Sequence, residues 1–169
     1  NVKVEIIASH FKSDENTIPS FVNTKVVLGK SVLDYNPNLK QRALPTLNDI
    51  LAEAIDKTDA DYIVFTNIDI GLMENFYEAV AEIVEQGIDA FAINRRRVSG
   101  KYQSANQLNK IYSDAGYLHN GYDCFVFKKE LFNQFQLGTV CIGIPHVGNT
   151  LFFNLMCFPK TIYLMKHSI

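Results

Sequence analysis

The chain has 169 residues, which is enough for one domain with a sizeable hydrophobic core. Hydrophobic residues make up 47% and charged residues 20%, and the formal charge of -2 gives no electrostatic reason to bind nucleic acid. No apolar run reaches the length of a transmembrane segment and nothing at the start resembles a signal peptide. The cysteines, Cys124, Cys141 and Cys157, lie among apolar neighbours without CxxC spacing. We therefore expect a cytoplasmic protein with reduced, buried thiols.

Hydrophobic periodicity divides the chain into short strands and amphipathic helices. Alternating or β-branched runs predict strands over 2–9, 25–29, 61–66, 89–94, 122–128, 139–142 and 161–165. Apolar stripes at helical spacing predict helices over 42–57, 73–84 and 146–156, with shorter helices over 129–135 and near 104–112. Strands that alternate with helices predict an α/β fold. We expect a single-domain, three-layer α/β/α sandwich with a mostly parallel, mixed central sheet.

The most informative segment is the predicted strand 62–66 together with the residues that follow it. The strand leads directly into Asn67, Asp69 and Gly71. A carboxylate at the exit of a central strand contributes little to packing, but it lies where open α/β sheets bind their ligands. Oxygen ligands of this kind suit Mg2+ or Mn2+. The alternative is that these side chains only cap the next helix or hold a turn.

Two further groups of charged residues are associated with predicted strands. Asp123 lies inside an otherwise apolar strand, where a carboxylate needs a partner or a function. It could act as a general base or hold a substrate hydroxyl, or it could simply accept backbone hydrogen bonds. The run Arg95, Arg96 and Arg97 follows the predicted strand 89–94. Arginine suits bidentate contact with phosphate or carboxylate, although such a run can also be merely solvated.

The remaining candidates are basic residues close to helix or strand ends. His146 opens a predicted helix and His167 ends the last strand, so either could be a metal ligand or a structural histidine. Lys40 and Arg42 precede a helix and could contact phosphate or only water. The sequence has no GxGxxG, Walker, GxSxG or HExxH motif and no zinc-finger spacing.

The order of these features, with DYIVFTNIDIGL at its centre, resembles the nucleotide-sugar half of GT-A glycosyltransferases. The resemblance implies a DxD-type motif that binds Mn2+ or Mg2+ together with the donor diphosphate. Asn67 stands at its first aspartate and Asp69 at its second. The late segment YLMKHS resembles the strand whose histidine, here His167, completes the metal site. The segment LKQRALPTLNDILAEA implies that Arg42 faces the donor.

The resemblance extends over nearly the whole chain as a pattern of elements. Segments 8–17, 120–132 and 137–155 resemble the nucleobase turn and the acceptor-side strands and helix. Within this frame Asp123 would deprotonate the acceptor hydroxyl, and Arg95 and Arg97 would bind diphosphate or an acidic acceptor. The strand 2–9 fits the family's second strand better than its first. Residues 1–169 are therefore expected to form one GT-A-like domain that lacks the family's first strand and helix.

The sequence thus predicts a glycosyltransferase that moves a sugar from a nucleotide-diphosphate donor to a hydroxyl of a glycan or other acceptor. One alternative is a degenerate, non-catalytic GT-A-like domain that binds a carbohydrate or a partner protein. Asn67 and the missing first strand favour that alternative. Another is a nucleotidyltransferase, which would need a glycine-rich basic loop after the first strand.

Overall fold

The computed structural model describes residues 2–40 and 42–166, and its elements follow the predicted α/β order. The strands are β1 (Ile7–His10), β2 (Thr24–Val27), β3 (Tyr62–Thr66), β4 (Ala90–Arg97), β5 (Tyr117–Lys128) and β6 (Ile162–Met165). The helices are α1 (Val32–Tyr35), α2 (Leu47–Ile55), α3 (Phe76–Glu85), α4 (Leu108–Ser113) and α5 (Val147–Cys157). Within these residues, no helix is both long and apolar enough to cross a membrane.

The strands form a mixed four-stranded sheet and a separate two-stranded sheet. The larger sheet has the order β3-β5-β4-β6, and β1 pairs with β2 in the smaller one. Strand β5 is antiparallel to both of its neighbours, whereas β4 and β6 are parallel, as are β1 and β2. The predicted mixed character is confirmed. The larger sheet has fewer parallel strand pairs than expected, because β5 lies between β3 and β4 and runs antiparallel to both.

Helices cover both faces of the larger sheet. On one face, α2 and α5 pack against the alternating side chains Phe125 and Phe127 of β5. On the other face, α3 packs against Phe91 of β4 and Val126 of β5. Phe91, Phe125, Phe127 and Val126 are at most 1% exposed. The structure therefore has the predicted helix–sheet–helix layering around this sheet.

Several element boundaries differ from the predicted ones. The arginines that were expected beyond the fourth strand belong to it, since β4 continues to Arg97. The predicted strand 139–142 is instead an irregular segment joined to the chain by a single bridge between Cys141 and Thr46. The predicted helix 42–57 begins only at Leu47, because the Thr46 side chain accepts the backbone N–H of Asp49 and caps it.

The cysteines only partly follow the prediction. Cys124 and Cys141 are buried free thiols, whereas Cys157 is an exposed free thiol, so the expectation of burial is wrong for Cys157. Cys157 is the last residue of α5, on the outside of that helix's final turn. Burial raises the pKa of Cys124 to about 12, so its thiol is neutral at physiological pH and is not a nucleophile.

The Asp89 side chain links the start of β4 and the start of β6 to the end of β5. Its Oδ1 accepts a hydrogen bond from Lys128 Nζ at 2.6 Å, and its Oδ2 accepts the backbone N–H groups of Lys160 and Thr161 at 3.0 and 3.1 Å. The Lys128 hydrogen bond is the largest of the effects that hold the pKa of Asp89 below its usual value. The ionised carboxylate therefore stabilises the folded sheet.

We expect Asp89→Asn to lower the free energy of unfolding by about 1.5–3 kcal/mol at pH 7, the usual value of hydrogen bonds to a charged group. A lowered folded-state pKa gives stability that is present above the unfolded pKa and is lost as pH falls through the folded pKa. Urea unfolding between pH 7 and pH 3 should show the two proteins converging at acid pH. Glu15→Gln, at an exposed pair with Lys12, is the matched control and should change little. An unchanged Asp89→Asn protein would contradict this role.

Candidate active site

The polar candidates meet at one edge of the larger sheet. The last row that crosses all four strands consists of Thr66, Cys124, Ile93 and Met165. One step further, β3 gives way to Asn67, β5 presents Asp123, and β4 continues into Asn94 and Arg95. This is the carboxyl end of β3, β4 and β6, the edge at which α/β sheets bind ligands.

The side chains of Asn67 and Asp69, in the turn after β3, do not cap the next helix. The backbone N–H of Ile70 donates to the carbonyl oxygen of Asn67 at 3.2 Å, so the backbone closes this turn. Helix α3 begins only at Phe76, with Asn75 at its N-cap position. The alternative that Asn67 or Asp69 caps this helix is therefore excluded. Asp69 is exposed and Asn67 is half-buried.

Asp123 lies at an irregularity of β5, between two basic partners. The pairing of β4 with β5 shifts register on both sides of Asn94, which leaves Asp123 as an extra residue on β5. Such bulges re-aim side chains and are common next to active sites. Asp123 Oδ2 lies 3.0 Å from Arg95 Nε and 3.2 Å from His119 Nδ1. The three side chains are 18%, 26% and 23% exposed respectively, so the cluster is partly screened from solvent but open to a ligand.

A second layer of hydrogen bonds fixes the segment that carries His119. The Asn94 side-chain amide donates to the carbonyl oxygens of His119 and Gly121 at 2.5 and 2.8 Å. The backbone N–H of Gly121 lies 3.1 Å from His119 Nδ1, and Arg95 Nη2 lies 3.4 Å from His119 Nε2. Asn94 itself is buried. The imidazole is therefore held in one position between Asp123 and Arg95.

Buried polar atoms without hydrogen-bond partners are concentrated at this edge. Within residues 2–40 and 42–166 they include Thr66 Oγ1, Asn94 Oδ1, Arg95 Nε and Asp123 Oδ2. The last two atoms are close enough for an ion pair but are not aligned for a hydrogen bond. Buried polar groups are normally satisfied, so these atoms set this edge of the sheet apart from the rest of the described interior.

A cavity of about 680 Å³ opens beside this edge, on the face of the sheet covered by α3. Asp69, Arg95 and Arg97 all line it. The structure thus brings together three of the predicted site residues around one space. Arg96, the middle arginine, has a structural role, since its guanidinium donates to the carbonyl oxygen of Tyr112 at 2.7 Å.

The other predicted residues lie elsewhere or outside the described part of the chain. Arg42 is exposed, and its guanidinium lies beside Gly143. His146 precedes α5 in a left-handed conformation, with φ of 80°. The predicted metal ligand His167 falls outside the described residues. In the described ranges, no group of three or more His, Cys, Asp or Glu side chains could hold a metal ion.

A scan against protein-family models found no match to the chain, and a search of curated proteins found no significant relative.

Proposed function

We propose that this chain is a metal-dependent glycosyltransferase domain that transfers a sugar from a nucleotide-diphosphate donor to a hydroxyl acceptor. The observation that supports this most is the Asp123–Arg95–His119 cluster, one strand away from Asp69 at the carboxyl edge of the sheet. Sugar transfer needs a base for the acceptor hydroxyl and positive charge for the departing diphosphate. Both kinds of group are present here within one open edge.

Asp123 is the proposed base. Among the described residues both of its partners contact Oδ2, which leaves Oδ1 as the oxygen that an acceptor hydroxyl would meet. A carboxylate in this position can accept the proton of the acceptor hydroxyl as the new glycosidic bond forms. Arg95 and His119 both lie against Oδ2, and His119 is proposed as a residue that positions the carboxylate.

The oxygens of Asn67 and Asp69 fit a hard divalent cation, Mn2+ or Mg2+. When bound, it would neutralise charge on the leaving diphosphate. Arg97, in the same cavity as Asp69, would add positive charge on the diphosphate side.

A thermal-shift screen tests this proposal. UDP-, GDP-, CDP- and dTDP-sugars, each with Mn2+, Mg2+ or EDTA, should include one combination that raises the melting temperature, since a ligand of the folded state stabilises it. At 100 times its Kd the ligand should add about 2.7 kcal/mol. The shift should need the metal and should disappear in Asp69→Ala but persist in Asp59→Ala, an exposed aspartate before β3. The absence of any metal-dependent nucleotide binding would refute the transferase proposal.

The second candidate is a non-catalytic domain that binds carbohydrate. Asn67 at the first position of the DxD-type motif favours it. Sugar binding that is unchanged in Asp69→Ala and independent of nucleotide would support this candidate over the enzyme. Release of pyrophosphate from a nucleoside triphosphate and a sugar phosphate would instead indicate a nucleotidyltransferase.

A further inference from the structure

The cavity beside the candidate active site has an apolar interior and a charged end, where three arginines outnumber the one carboxylate, Asp69. Along β4 its lining changes from Phe91 and Ile93 to Arg95 and Arg97. The wall formed by α3 and α4 is apolar, and its main contributors are Phe76, Ala79, Val80, Ile83, Leu108 and Ile111. A volume of about 680 Å³ is far larger than a packing defect and falls in the range of small-molecule sites.

Defined contacts hold the wall of this cavity in place. The Tyr112 hydroxyl, at the end of α4, donates to the carbonyl oxygen of Leu72 at 2.6 Å. The guanidinium of Arg96 donates to the carbonyl oxygen of Tyr112 at 2.7 Å. Helix α4 is thereby tied both to β4 and to the loop before α3. The cavity is therefore a built space between fixed elements.

The charges at the open end differ in their partners. Arg95 is paired with Asp123, and Arg96 is bonded to the backbone of α4. Arg97 is exposed and makes no ion pair within the described part of the chain, so its charge is available to a ligand. Opposite Arg96 and Arg97 in the pairing lie Leu118 and Tyr117, which are 64% and 75% exposed. Apolar surface thus continues beyond the cationic rim.

We propose that this cavity binds an amphipathic anion, namely an acyl or prenyl chain that carries a phosphate head. The chain would occupy the apolar space between α3 and β4, and the head would meet Arg97. This inference goes beyond the proposed transferase function, because lipid binding is measured without donor or metal. Because Arg97 is also proposed to face the donor diphosphate, a lipid phosphate and a nucleotide-sugar would compete for this end of the cavity.

The test uses the purified chain and a series of alkyl phosphates from octyl to hexadecyl, kept below their micelle concentrations. Their Kd values come from displacement of 11-(dansylamino)undecanoic acid, whose emission reports an apolar site. Each methylene that enters the cavity should tighten binding about fourfold until the space is filled. Inorganic phosphate should not compete, and alkyl alcohols should compete more weakly than the phosphates. A Kd independent of chain length would overturn the proposal.

Two variants with matched controls place the ligand in the cavity. Ala79→Phe fills the space from α3 and should weaken the long-chain phosphates at least tenfold, whereas Glu78→Phe adds the same ring on the exposed side and should not. Arg97→Gln should weaken the phosphates about tenfold with little effect on the alcohols. Lys57→Gln, an exposed lysine after α2, should change neither.

If Ala79→Phe folds and binds the long-chain phosphates with unchanged affinity, the site is refuted. If Ala79→Phe does not fold, unchanged phosphate affinity in Arg97→Gln refutes the site instead. Lipid binding without nucleotide binding would leave this inference standing while the transferase proposal fails.

Discussion

Asp123→Asn is expected to lower the transfer rate about 10²–10⁴-fold, the usual contribution of a general base. Asparagine has nearly the same shape as aspartate but cannot accept the acceptor proton. Asp123 does not contact Asn67, Asp69 or Arg97, and Arg95 is its one contact that the resemblance assigns to the diphosphate, so the Kd of the donor should change much less than kcat. The measurement is kcat with the donor that the thermal-shift screen identifies. A variant that retains full kcat would show that the base lies elsewhere.

The neighbouring residues supply controls for this prediction. His119→Gln should reduce kcat by a smaller factor than Asp123→Asn, because it removes an orienting contact at 3.2 Å and leaves the carboxylate in place. Asp114→Asn alters an aspartate that pairs with Lys101 and bonds to Tyr102, away from the Asp123 cluster, and should leave kcat unchanged. Equal losses in all three variants would indicate a general effect on folding.

Much of the fold could be predicted from the sequence because hydrophobic periodicity determines which side of an element is buried. The alternation of Phe125 and Phe127 with Val126 indicates a strand buried on both faces, and all three are in the core. The ends of elements could not be predicted in this way. Arg95 and Arg97 extend β4 although a charged run suggests an exposed loop, because β5 pairs with that segment.

Only some residues of the candidate site could be predicted from the sequence. Asp123 stands out as a carboxylate in an apolar strand, and the structure gives it partners. His119 was missed as a site residue, since it lies in a polar stretch four residues before Asp123. Two strand residues at that spacing meet only if the strand is irregular, and the register shifts around Asn94 are set by pairing with β4. The available signal was the glycine at 121, because glycine inside a strand often marks a bulge.

The position of β5 explains why the cluster forms at all. Chain order alone would place β4 beside β3, but β5 lies between them and runs in the opposite direction. The amino-terminal half of β5 is therefore brought to the carboxyl ends of β3 and β4. Asp123 and His119 consequently lie beside residues that are distant in the sequence, and periodicity carries no information about that pairing.

The strand that carries the proposed base depends on one buried aromatic side chain. We expect Phe127→Ala to lower the free energy of unfolding by about 3–5 kcal/mol, since it removes a large core side chain and leaves a cavity. Phe127 is 0% exposed, packs against Phe135 at a ring distance of 5.1 Å, and lies opposite Ile63 and Ala90 in the sheet. Urea denaturation followed by far-UV circular dichroism measures the change.

Phe153→Ala is the matched control for this substitution. It removes the same ring from α5, where Phe153 is 63% exposed, and should cost less than about 1 kcal/mol, because an exposed side chain loses little buried area. A small effect at Phe127 would contradict the core between the sheet and α2 and α5. If Phe127→Ala is destabilised but still folded, donor binding at Asp69 should survive while activity at Asp123 falls. Phe127 shares β5 with Asp123, whereas Asp69 follows β3, so packing of Phe127 supports the proposed base more directly than the turn proposed to bind the metal.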